Sequence, residues 1–204
     1  MTKLDLRKEL KHLYQPTSKQ FVIVDVPRMN FLMLDGRGDP NTSDDFQNAM
    51  MALYGMSFTL KFASKLQLGI DYTVMAIEGL WWAEDMSDFL AGEKSRWLWT
   101  MMMMQPDHIT KRMVEEARKQ VAKKRPSPLL DQVRFEKFHE GLSAQIMYVG
   151  PYADEGPTIA RMHEFIEQNG YVPAGKHHEI YLGDPRRTAP EKLKTVLRQP
   201  IRKK

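Results

Sequence analysis

The order of apolar runs in this chain repeats, and a repeated order leaves few folds open. Met33-Leu34-Asp35-Gly36 matches Met147-Tyr148-Val149-Gly150 at an offset of 114, and Gly55 matches Gly170 at an offset of 115. Each glycine-ended run is followed by an acidic loop, an amphipathic segment and two further apolar runs. Each half therefore reads strand–strand–loop–helix–strand–strand. Two such half-sheets, each with a helix on one face, join into one curved antiparallel sheet. The helices cover its convex side and leave the concave side open. The expected class is α+β: a single domain over residues 1–204, built from two pseudo-symmetric halves that form one curved antiparallel sheet with room for a ligand on its concave side. The repeats span about 20–104 and about 129–201, with a linking helix in 105–128.

Local patterns place the elements. Residues 4–13 predict a short helix of mixed charge. The β-branched run 21–26, ended by Pro27, and the run 30–34 predict strands. Thr42-Ser43-Asp44-Asp45 offers N-cap chemistry and early acidic charge, and Phe46, Met50, Leu53, Ser57 and Leu60 then form a helical stripe. Residues 70–82 predict one long strand and 96–104 another, separated by an acidic loop over 83–95. Thr110 caps a basic helix carrying Met113, Val114, Ala117 and Val121, and 123–128 is a linker. Strands follow at 133–139 and 142–149, joined at Glu140-Gly141. Residues 155–169 predict a helix with Pro157 in its first turn and Gly170 as its stop. Strands over 177–182 and 192–199 complete the order.

Composition removes whole classes of function. The chain has no cysteine, hence no disulfide framework, thiol nucleophile or thiolate metal site. No run of about 18 apolar residues exists, and the first ten residues lack the apolar core of a signal peptide. The expectation is a cytoplasmic protein with no membrane partner, either monomer or homodimer. The net charge is only +4. Its basic clusters, at 119–125, 186–187 and 202–204, lie apart from the aromatics, whereas a nucleic-acid groove interleaves the two. No nucleic acid partner is expected. His177 and His178 are adjacent on a strand and point apart, and His139 and His163 lack partners at ligand spacing. No metal site and no cofactor are expected.

The chemistry concentrates near the end of the chain. In His177-His178-Glu179-Ile180-Tyr181-Leu182, alternation puts Glu179 and Tyr181 on one face, with His178, Ile180 and Leu182 on the other. A carboxylate in such a strand is costly unless it faces water, is hydrogen-bonded or meets a ligand. Glu78 holds a comparable place, in the third strand of the first repeat. Aromatic residues that could wall a pocket are Tyr72, Trp81, Trp82, Trp97, Trp99, Tyr148 and Tyr181. Fifteen methionines, four of them at 101–104, add adaptable apolar surface, with Met101 beside the tryptophans. Trp97, Trp99, Met101 and Met103 share one face of their strand. Trp81 and Trp82 point opposite ways unless a bulge at Glu78-Gly79 re-aims them.

Several segments together resemble one family. Tyr72-Thr73-Val74-Met75-Ala76-Ile77-Glu78-Gly79-Leu80-Trp81-Trp82, the segment His178-Glu179-Ile180-Tyr181-Leu182, the closing run from Arg187 to Pro200, and Tyr148-Val149-Gly150-Pro151-Tyr152 are similar to segments of GyrI-like proteins. The resemblance covers about residues 21–201. It implies paired strand–helix–strand–strand repeats around a pocket for small amphipathic molecules, with Glu179 at the position of the glutamate that faces cationic, aromatic ligands in multidrug-sensing relatives. The chain lacks a winged helix and so resembles the stand-alone branch, which is similar to hydrolases of cyclopropane-bearing genotoxic compounds. The expected activity is hydrolysis of such compounds, with Glu179 and Glu78 catalytic. Tyr72, Trp81, Trp82, Trp99, Met101, Tyr148 and Tyr181 would hold the ligand. The alternative is a binding module that sequesters organic cations or drugs without reacting.

Overall fold

The computed structural model describes residues 2–85 and 92–204. In chain order the elements are β1 (Thr2–Leu4), α1 (Leu6–Glu9), α2 (Lys11–Tyr14), β2 (Val22–Val26), β3 (Met29–Arg37), α3 (Asp44–Ala63), β4 (Ile70–Tyr72), β5 (Ile77–Trp82), β6 (Leu98–Gln105), α4 (Lys111–Lys124), β7 (Arg134–Phe138), β8 (Gly141–Val149), α5 (Gly156–Gln168), β9 (Tyr171–Pro173), β10 (His177–Tyr181) and β11 (Lys194–Lys203). The class is mixed α and β with antiparallel sheets. Among the described residues, no helix is long and apolar enough to cross a membrane.

The chain divides into two compact units, Met1–Glu9 with Met29–Phe138, and Leu10–Arg28 with His139–Lys204. In the first, the antiparallel order is β5-β6-β3-β7, and β1 pairs β4 in parallel. In the second it is β10-β11-β8-β2, and β9 pairs the end of β11. The strand orders match, as the repeat requires. Each unit, however, takes its outer strand from the other half of the sequence. β2 precedes β3 but pairs β8, and β7 precedes β8 but pairs β3. The Pro27-Arg28 link explains the first exchange. Proline is held at negative φ, so it cannot enter the type I′ turn that would fold β2 back on β3. The sequence-based repeat limits, 20–104 and 129–201, therefore do not coincide with the compact units.

Several local expectations shift. The predicted helix over 4–13 is a strand and two short turns of helix, because Leu10 leaves helical geometry (φ −100°, ψ 30°). The predicted strand 70–82 breaks into β4 and β5. Of the loop expected over 83–95, residues 86–91 lie outside the described residues, and Lys94–Arg96 form a 3₁₀ turn. β11 runs through Pro200 to Lys203 rather than stopping at Gln199. Pro200 sits where the neighbour of β11 on one side changes from β10 to β9, so its missing N–H breaks no ladder bond there.

The helix starts follow their caps: Ser43 accepts from the Phe46 amide at 3.2 Å and Thr110 from the Met113 amide at 3.3 Å. α3 outlasts Gly55, which lies mid-helix against Val121. The chain leaves this helix through a π turn, Ser64–Leu68, and Gly69 closes it at φ 67°. Gly69, not Gly55, thus corresponds to Gly170 (φ 80°). Gly36 serves another purpose. It pairs Trp99 across β3 and β6, and a Cβ there would lie 2.1 Å from the indole. Gly36→Ala is expected to lower the thermal midpoint by several degrees, in line with about 1–3 kcal/mol for overpacking. Gly156→Ala, which meets nothing within 4 Å, should leave it unchanged.

Candidate functional site

In the second unit, α5 covers one sheet face through Met162 and Ile166, which pack with Ala144, Ile146 and Leu197. Glu179 pairs Leu197, and Tyr181 pairs Thr195, which in turn faces Tyr148. Directly paired residues share a face, so Glu179, Tyr181 and Tyr148 all lie on the α5 side. By alternation His177 joins them. The Tyr181 hydroxyl donates to Glu179 Oε2 at 2.6 Å, and His177 Nε2 lies 3.5 Å from Glu179 Oε1. The His177 side chain is buried, while that of Glu179 keeps 14% of its surface open. The ring of Tyr152, just past β8, meets Tyr181 edge-on at 5.4 Å. Tyr148 folds back over its own turn and donates to the Pro151 carbonyl at 3.0 Å. Burial, then the charges of Glu155 and Asp154, push its phenol up.

The opposite face of this sheet carries a buried ionic network. Glu140 accepts from His178 Nδ1 at 2.9 Å and from Arg198 Nη1 at 3.0 Å. Arg198 also donates to Gln145 Oε1 at 3.0 Å and to the Leu13 carbonyl at 2.7 Å. Burial alone would push Glu140 up. The charges of His178 and Arg198, with their hydrogen bonds, outweigh it and hold the carboxyl at about 2. The two histidines do point apart: His178 serves this network, and His177 serves Glu179.

In the first unit, α3 covers the face that carries Trp81, Trp99, Met101 and Met103. Ser57 on α3 bonds Met103 Sδ and accepts from Gln105 Nε2 at 3.1 Å. Phe46 meets Trp99 edge-on at 5.3 Å and Trp81 at 5.9 Å, and Trp81 meets Trp97 at 5.7 Å. Trp81, Trp99 and Met101 are buried there, whereas Phe46 and Trp97 are half-buried. Tyr72 is also buried and donates to Gln105 Oε1 at 3.3 Å. Trp82 and Glu78 point to the other face. The ladder of β5 on β6 runs from Ile77↔Met103 to Trp82↔Leu98 with no bulge, so parity holds. Glu78 pairs Met102 and is fully buried.

The two carboxyl groups are therefore not equivalent. Glu78 lies on its sheet's helix-free face, and Glu179 lies on its sheet's helix-bearing face. Three polar or aromatic neighbours were not among the sequence candidates: His177, Tyr152 and Phe46. The period of two marks His177, since it precedes Glu179 by the spacing at which Tyr181 follows it. Phe46 opens a helical stripe and Tyr152 closes a family-like segment, but they come from other elements and neither pattern says which rings they meet. Among the described residues, no group of three or more His, Asp or Glu could hold a metal ion.

The same order of four antiparallel strands, backed by a helix, recurs in both units. The chain belongs to the GyrI-like small molecule binding domain family, whose model matches residues 19–202. It is similar to an uncharacterized conserved protein from Listeria innocua, with 40% identity, a TM-score of 0.88, and coverage of 98% of this chain and 100% of that one. It is also similar to a hydrolase from Listeria innocua, with 38% identity, a TM-score of 0.85 and the same coverage. The C-terminal domain of EcmrR shares the fold at 11% identity and a TM-score of 0.57, over 91% of this chain and 98% of that one. No curated protein matches the chain.

Proposed function

We propose that this protein binds aromatic or amphipathic small molecules beside Glu179 and hydrolyses strained electrophiles of the cyclopropane-bearing genotoxic class. One observation carries the reading: a carboxyl group, mostly enclosed yet still open to a guest, is gripped by the Tyr181 phenol and approached by His177. Similarity to a hydrolase at 38% identity over nearly the full chain supports the reaction type.

The step is an addition of water. Glu179 takes a proton from a water molecule as its oxygen attacks a cyclopropane carbon. The C–C bond of the ring breaks, and its electron pair moves into the conjugated carbonyl to give an enolate. The Tyr181 hydroxyl donates to that oxygen, and the proton held by Glu179 restores the phenol. The product is the substrate plus one water, and the residues return to their starting state. Tyr152 and Tyr181 offer ring faces for a flat ligand.

A second reading rests on the same rings. Two tyrosines 5.4 Å apart beside a carboxylate also suit an organic cation, held by charge and cation–π attraction without reaction. Mass spectrometry of a cyclopropyl enone incubated with the protein separates the two. A product heavier by one water supports hydrolysis. Bound, unchanged compound leaves the sequestration module as the function.

A further inference from the structure

Three hydroxyl groups lie in one row across the sheet of the second unit. Tyr148 on β8 pairs Thr195 on β11, and Thr195 pairs Tyr181 on β10. Directly paired side chains share a face, and this face also carries Glu179. Each hydroxyl has one proton to donate. Tyr148 gives its proton to the Pro151 carbonyl at 3.0 Å, and Tyr181 gives its own to Glu179 at 2.6 Å. Thr195, in the middle of the row, differs from both. Its Oγ1 is buried and has no hydrogen-bond partner among the described residues. Buried hydroxyls are nearly always paired, because leaving water without a replacement bond costs free energy. A valine has the same shape and carries no such cost, so packing alone does not account for this hydroxyl.

We propose that Thr195 is the specificity residue that recognises a carbonyl oxygen on the ligand, which makes flat aromatic ketones the class this site takes. The inference rests on the reading that the ligand binds beside Glu179 and Tyr181. A carbonyl oxygen carries lone pairs and no proton, so it needs a donor, and Thr195 holds the uncommitted proton of the row. An organic cation would be held by Glu179 and the tyrosine rings and would have no need of this hydroxyl. Thr195 is fully enclosed, so a ligand meets it where a flanking ring yields. Tyr148 is half-buried and lies across its own turn, in space that Gly150 leaves: a Cβ there would stand 2.5 Å from the Tyr148 hydroxyl. The bond to Pro151 tethers that ring, and one neutral hydrogen bond is a modest barrier to its opening.

Equilibrium dialysis with two probes tests this: acetylnaphthalene, and ethylnaphthalene, in which a methylene replaces the carbonyl. The ratio of the two affinities is the quantity to compare, because it cancels the apolar contribution that the probes share. Going from the parent to Thr195→Val, the preference for the ketone should drop about tenfold. Thr195→Ser, which keeps the hydroxyl, should retain the preference. The thermal midpoint of Thr195→Val should equal or exceed that of the parent, since the hydroxyl it removes has no partner to strand. Neither probe carries a strained ring, so the outcome does not depend on hydrolysis. A parent that turns over no cyclopropyl compound yet shows this ratio loses the reaction and keeps the assignment of Thr195. An unchanged ratio in Thr195→Val, a clear fall in its thermal midpoint, or a parent that does not bind acetylnaphthalene would each overturn the proposal.

Discussion

Glu179→Gln is expected to lower turnover of a cyclopropyl substrate by about a hundredfold to ten-thousandfold, the usual range for loss of a positioned base. Folding should survive, because the amide keeps an oxygen for the Tyr181 hydroxyl, 2.6 Å away in the parent. Tyr181→Phe removes a donor that acts in the transition state, so kcat should fall further than substrate affinity, by about a hundredfold or more. Glu78→Gln tests the other carboxyl. Glu78 is fully buried on the face turned away from α3, so its loss should appear first in the melting curve. Steady-state kinetics beside thermal melts of the three variants would check the division. Unchanged kcat in Glu179→Gln would remove hydrolysis at this site and leave binding.

Breaking the ionic network should have the largest effect on stability. Arg198→Met leaves Glu140 enclosed with one cationic partner removed, and such a loss costs about 3–5 kcal/mol. For a chain of this size that is a fall in thermal midpoint of about 6–20 °C. Adding Glu140→Leu should recover part of it, because the stranded charge is then gone. The same network predicts acid sensitivity. The folded Glu140 carboxyl sits at about 2, below its ordinary 4.5. The unfolded chain therefore binds the proton more readily. The stability this gives is fully present above about pH 4.5 and drains away as pH falls toward about 2, on the order of 3 kcal/mol in all. Denaturant melts across this window should show the slope in the parent and lose it in Glu140→Leu. Parallel curves for both would exclude Glu140 as its source.

Much of the local structure was legible. Ser43 and Thr110 cap their helices because their hydroxyls lie three residues before the amides they bind. The sides of β10 followed from alternation, which is a property of any strand. The ionic network was not legible. Glu140 and Arg198 are 58 residues apart, and nothing in the closing run that holds Arg198 points to Glu140. Nor could the chain alone say which of Trp81 and Trp82 lies under a helix. Parity separates such neighbours, but only the packing of Phe46 and Ser57 on the β6 sheet assigns the sides.

The sequence by itself determined the twin order of strands and helices, the family, and the alternation that sets Glu179 beside Tyr181. These depend on side-chain period, capping and turn chemistry, all of which act within a few residues. Tertiary structure decided the rest: which unit β2 and β7 complete, the burial of Glu78 on the helix-free face of its own unit's strands, and the enclosure of Glu140 by His178 and Arg198. The reason is physical. Which strand completes a sheet, and which face a helix covers, depends on the free energy of burying surfaces that lie far apart in the chain.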